Sequence, residues 1–231
     1  MPKPDKNIHL FYTAITPPSG VQSAASEADN AVCLHKAAWA LLAVSLNSLY
    51  PDLFPSADVS ALPEIKKNSF GKPAFYDDTA PYFSLSHSGC IAVCAISKDR
   101  PIGVDVQKKT DWDEYPGCDD VVSQFFHPKE QQSYFSDCDS ERRRDTFFRL
   151  FSCKEAYTKL TGLGLNEDFS SFYAALNEEG SLVRIHNSAT DKAVGYSAVR
   201  ELSDPDVCGD YALACCMYDP FSPPEIRKIM L

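Results

Sequence analysis

Between Ile102 and Gln107, the residues Ile102, Val104 and Val106 alternate with Gly103, Asp105 and Gln107. This period of two predicts a strand with one valine-rich face turned to a core and an acid and an amide on the other. The tight apolar flanks of Asp105 imply a carboxylate that is held in place. About fifty residues on, the segment 151–165, FSCKEAYTKLTGLGL, predicts the end of a long helix. Phe147, Leu150, Cys153, Tyr157 and Leu160 form an apolar stripe on its wheel, while Ser152, Glu155 and Lys159 point away with Phe148 beside them. Lys154 falls at the stripe's edge, where an ammonium needs a partner, and Glu130 is expected to supply it. Gly162 and Gly164 end the helix and free the backbone beside the charged face.

Each segment alone has an ordinary reading. A Glu–Lys pair one helical turn apart is most often a solvated surface pair, and a strand acid with a polar residue two places on is usually the wet side of a sheet. Joined, the strand face and the helix face put two carboxylates, an amide and a lysine in one pocket. That set suits a hard divalent cation such as magnesium, with a phosphate held between metal and lysine.

The remaining pattern predicts a mixed α+β chain. Strands are expected at 9–15, 64–66, 74–76, 82–85 and 90–97, with a helix at 29–49 ended by Pro51. Lys98-Asp99-Arg100-Pro101 turns the chain into the Asp105 strand. Residues 108–120 read as an exposed, mobile connector. Pro128 and Glu130 suit the first turn of a short helix, and Ser140 is expected to cap the long one. Strands at 172–176, 182–186, 195–201 and 211–218 precede a proline-rich tail at 220–224. Lys36-Ala37-Ala38-Trp39 and Ile91-Ala92-Val93-Cys94 are echoed by Lys154-Glu155-Ala156-Tyr157 and Tyr211-Ala212-Leu213-Ala214 at an offset of about 120 residues, as an internal duplication leaves. Chance similarity of apolar segments gives the same pattern.

The strand and helix motifs, in this order and at this separation, resemble the signature of the 4′-phosphopantetheinyl transferases, in particular the larger, two-lobed type that activates surfactin synthetase. A third segment, GKPAFYDDTAPYFSLSHSG at 71–89, is similar to the family's Gly-Lys-Pro turn and Ser-His-Ser stretch, and the resemblance spans roughly 64–218. It implies an α+β fold of two similar lobes in a pseudo-twofold arrangement, here 1–101 and 102–231, with the active site between them. It further implies magnesium-dependent transfer of 4′-phosphopantetheine from coenzyme A to a serine of an acyl or peptidyl carrier domain, with release of adenosine 3′,5′-bisphosphate. Asp105, Gln107 and Glu155 would hold the metal, and Asp105, Glu155 and Lys159 would carry the catalysis. Lys72, Ser86, His87 and Lys159 would grip coenzyme A. Two departures stand out. Gln107 occupies a place where many two-lobed members carry a second acid. The segment between Asn7 and Ile65 has Lys36, His9 and His35 but no arginine, where the family commonly supplies several basic residues for the 3′-phosphate. A relative that binds nucleotide or carrier without turnover is the competing expectation.

A net charge of −10 argues against a nucleic-acid surface. Arg142-Arg143-Arg144 is either a basic docking patch for the carrier or a solvated helix face. Nine cysteines, an odd number without metal-ligand spacing, read as reduced and mostly buried thiols. With no signal-like leader and only a short amphipathic apolar run around 37–46, the expectation is a cytoplasmic protein, without membrane or nucleic-acid partners and monomeric.

Overall fold

In the strand β5 (Ile91–Ser97), Ile91, Val93 and Ala95 face one way and Ala92, Cys94 and Ile96 the other, and all six are buried. Such a strand needs a layer on each side, and it has them. The computed structural model describes residues 7–15, 24–109, 117–176, 182–207 and 209–231. The loop expected after the first strand lies largely outside these, as does 110–116 of the expected connector.

Around β5 a four-stranded sheet takes the order β11 (Ile226–Lys228), β1 (Ile8–Ala14), β5, β4 (Tyr82–Ser88). A second, five-stranded sheet takes the order β6 (Gly103–Lys108), β10 (Asp210–Met217), β9 (Ala193–Ser203), β8 (Val183–Asn187), β7 (Phe172–Ala175). A small hairpin pairs β2 (Ile65–Lys67) with β3 (Pro73–Phe75). The two large sheets share one core, in which Ile91, Val93 and Ala95 meet Val104, Val106, Leu213 and Cys215. On the outer side of the first sheet lies α1 (Ala24–Leu49), packing Leu41, Leu42 and Leu46 on Cys94 and Ile96. On the outer side of the second lies α4 (Ser140–Thr161), sharing a core with Ala212, Ala214 and Cys216. The order strand, helix, two antiparallel strands therefore occurs twice, as β1-α1-β4-β5 and β6-α4-β9-β10. The echoed tetrapeptides occupy equivalent places, on the helices and on the middle strands β5 and β10.

Several expectations are corrected. Asp139, not Ser140, caps α4; its carboxylate accepts from the backbone N–H groups of Glu141 and Arg142. The last three residues of the expected connector, 118–120, instead open a helix, α2 (Cys118–Phe125), which the charged sequence around it concealed. Lys109 at the connector's start is buried, held by Asp145 at 2.9 Å and Glu201 at 2.6 Å. Ser152 and Phe148 of α4 are buried too, because that helix is packed on more than one side. The proline-rich tail ends in β11, which runs parallel to β1. Asn30–Leu49 has the length and apolarity of a membrane span; its Leu34, Ala38, Leu41, Leu42 and Leu46 pack inside the fold.

Other expectations hold. Pro128 opens α3 (Pro128–Ser136), with Glu130 closing a capping box on His127. Lys154 and Glu130 meet at 2.8 Å, both buried, and the ammonium also donates to the carbonyls of Phe169 and Phe172. Eight described cysteines are free and five of them are buried. Arg142 folds back towards Asp137 and Asp139, and Arg143 lies over the Tyr134 ring.

Candidate active site

The two large sheets meet at the edge strands β4 and β6. Alternation along β4 turns Ser84, Ser86 and Ser88 towards β6, and Leu85 and His87 towards α1. The outward N–H groups of Val104, Val106 and Lys108 then find hydroxyl oxygens in place of a partner strand. They donate to Ser84 Oγ at 3.0 Å, Ser86 Oγ at 3.3 Å and Ser88 Oγ at 3.0 Å. A row of side-chain acceptors thus satisfies an edge that burial would otherwise penalise.

On the other face of β6, Gly103 lets α4 come close. A Cβ there would stand 2.0 Å from the Ala156 carbonyl oxygen and 2.6 Å from the Leu160 nitrogen. Two residues along the same face is Asp105, opposite the small side chain of Ala214. The close crossing brings Lys159 of α4 onto it, with Nζ 2.6 Å from Asp105 Oδ1. Ser86 Oγ donates to that same oxygen at 2.8 Å and accepts from Lys159 Nζ at 2.8 Å. Gln107 Nε2 donates to Asp105 Oδ2 at 2.9 Å.

These residues line a cavity of about 360 Å³ together with Glu155, His87, Leu85 and Pro73, closed on the α1 side by His35, Ala38 and Trp39. The structure therefore brings together Asp105, Gln107, Glu155, Lys159, Ser86 and His87. Lys72 stands apart. Its Nζ donates to the Leu160 carbonyl at 2.8 Å, and Asn68 Nδ2 donates to the Gly162 carbonyl at 2.8 Å. The Gly-Lys-Pro turn thus holds the C-terminal end of α4, where Gly162 takes the left-handed conformation that ends a helix. Burial lowers the Lys72 ammonium to about 8. An adjoining cavity of about 230 Å³ runs past Lys72, Phe70, Phe83 and Gly162 and shares Pro73, Leu85 and Lys159 with the first.

Burial, then the charge of Asp105, raise the Glu155 carboxyl above its usual range, with Lys159 opposing. Among the described residues no hydrogen bond reaches that carboxylate. Two acids thus share a cavity in which one ammonium is already committed to one of them. Together with the Gln107 amide, which keeps its oxygen lone pairs, this donor set fits a hard cation. Burial, then His35 and Lys159, push the His87 imidazole below its ordinary value, against Asp105. His35 and Trp39 were not singled out by sequence reasoning. The available signal was their spacing with Ala38 on one face of α1.

A family model described as the 4′-phosphopantetheinyl transferase superfamily matches residues 101–216. The 4′-phosphopantetheinyl transferase psf-1 of Bacillus pumilus is 38% identical over 110 residues, 48% of this chain and 44% of that protein. The 4′-phosphopantetheinyl transferase Sfp of Bacillus subtilis (strain 168) is 28% identical over 161 residues, 69% of this chain and 65% of that protein. The chain thus spans about half the length of the curated relatives it matches. A solved structure titled Chronobacterium ammoiniagenes apo-ACPS is similar at 19% identity and a TM-score of 0.34, over 50% of this chain and 92% of the other.

Proposed function

The chain belongs to the 4′-phosphopantetheinyl transferase superfamily, and from that premise we propose that it transfers the 4′-phosphopantetheine group of coenzyme A to a serine of an acyl or peptidyl carrier domain, releasing adenosine 3′,5′-bisphosphate. The observation that carries this reading is the single cavity shared by Asp105, Glu155 and Lys159 at the seam between the sheets. Asp105, Glu155 and the Gln107 amide oxygen would hold magnesium. Bound there, the ion would neutralise the diphosphate of coenzyme A and favour loss of the bisphosphate.

The protein's own part is positioning and charge. Lys159 sits where it can swing from Asp105 to an arriving phosphate without leaving the cavity. Glu155 is the carboxylate free to receive the proton of the attacking serine hydroxyl. His87 faces the nucleotide end. Ser86 acts by fixing Asp105 and Lys159, and Lys72 by fixing the end of α4. The adjoining cleft past Phe70 and Phe83 suits the pantetheine arm, which is long and alternates methylene and methyl groups with amides. The same reading has the protein work in the cytoplasm as a monomer of two halves, 1–101 and 102–231.

The test is to incubate the protein with coenzyme A, magnesium and an unmodified carrier domain and to weigh the carrier. The expected result is a phosphopantetheine mass increment that is lost with Asp105→Ala, Glu155→Ala or chelation of the metal. An unmodified carrier across several carrier types would sink the proposal.

A further inference from the structure

The α1 side of the cavity is built of rings. His35 of α1 meets His87 of β4 edge-on, with ring centroids 6.1 Å apart at 85°. Trp39, one turn along α1 from His35, meets it at 6.4 Å and 69°. The indole in turn rests on Phe83 at 5.9 Å. Trp39 Nε1 donates to His35 Nε2 at 3.2 Å. Burial, and after it the Lys159 ammonium, lower the His87 imidazole and favour its neutral form, against Asp105.

No permanent cation belongs to this wall among the described residues. Lys159 lies beside Asp105 and Ser86, where the transferase reading gives it the diphosphate, and Lys72 donates to the Leu160 carbonyl outside this cavity. Lys36, the one lysine of α1, is exposed and outside the lining. A phosphate on the ribose is read most strongly by a charged donor, and such a contact changes affinity by roughly tenfold or more. Neutral rings offer a purine stacking surface and weak N–H donors instead.

We propose that His35, Trp39 and His87 seat the nucleoside end of the donor as an uncharged ring surface, so that this enzyme uses 3′-dephospho-coenzyme A about as readily as coenzyme A. The inference rests on the transferase reading above and names the donor class that its site accepts. The 3′-phosphate, where present, would meet no charged donor from this wall and contribute little.

The experiment compares kcat/KM for the two donors with one carrier domain at about pH 8, where imidazoles are neutral. The expected ratio lies within about threefold of unity, against the tenfold or more of a site that reads the phosphate. His35→Arg places a permanent cation on the wall and should raise the preference for coenzyme A about tenfold. A parent preference above tenfold overturns the proposal. So does a folded His35→Arg protein whose ratio is unchanged. Should that variant fail to fold, the parent ratio decides alone. Calorimetric titration with adenosine 3′,5′-bisphosphate and with 5′-AMP, both with magnesium, separates this inference from the reading it rests on. If neither donor is used but the two nucleotides bind equally, the transferase reading fails and the uncharged wall stands. Binding of only the bisphosphate, or of neither nucleotide, refutes the wall.

Discussion

The Ser86 hydroxyl has one proton to donate and two lone pairs, and all are in use: Asp105 receives the proton, while Lys159 and the Val106 N–H fill the lone pairs. Ser86→Ala therefore loosens Asp105 and Lys159 together. The expected outcome is a fall in kcat of about tenfold or more with little change in KM for coenzyme A, measured by steady-state carrier modification. A larger effect on KM than on kcat would return Ser86 to direct contact with the nucleotide. Gln107→Glu replaces the amide that now donates to Asp105 with a third negative charge. Magnesium needed for half-maximal rate should fall by about tenfold, while thermal stability without metal drops from like-charge repulsion. At this scale the site was legible where geometry is local. Asp105 and Gln107 share a strand face and Glu155 and Lys159 a helix face by spacing alone. The hydroxyl bridge of Ser86 joins residues from three elements, and no local period announces it.

Among the elements, the crossing of β6 and α4 depends on the missing side chain of Gly103. Gly103→Ala should destabilise the protein by about 1–3 kcal/mol or more in urea unfolding and push the helix off Asp105, because the clash is with helix backbone and not with a movable side chain. The seam between β4 and β6 invites a second measurement. Ser84→Ala leaves the buried Val104 N–H without its acceptor, at a cost of roughly 1–3 kcal/mol, and Ser84→Thr should restore most of it. The Lys154–Glu130 pair was foreseeable from the helical wheel, since a lysine at the edge of an apolar stripe demands an acid. The α2 helix was not, because its charged and aromatic residues resemble those of a loop until Tyr134 and the α4 core give Val122 and Phe126 something to cover.

For the molecule as a whole, the echoed tetrapeptides mark equivalent places on α1 and α4 and on β5 and β10, which the matching packing of the two helices explains. The return of β11 was hidden by the prolines before it. Its Lys228 bonds Asp204 at 2.8 Å and Asp206 at 2.5 Å in the turn between β9 and β10, which ties the first sheet to the second. Burial raises the Asp204 carboxyl, but Lys228, the Asp206 N–H and Tyr12 outweigh it and hold it below its usual value. A depressed carboxyl gives stability that is complete above its unfolded value and is lost as pH falls through the folded one. Lys228→Met should therefore lower the melting temperature at neutral pH and flatten its decline in acid, followed by thermal unfolding across the acid range. An unchanged acid limb would show that the clasp contributes nothing.

The parallel partner of β1 is separated from it by almost the whole described chain. On the ribosome, a nascent polypeptide bearing β1 must wait until residues 226–228 emerge before that sheet gains its outermost member. Until then β1 is an edge strand, paired on one side with β5 and open on the other to chaperones and to unfinished chains.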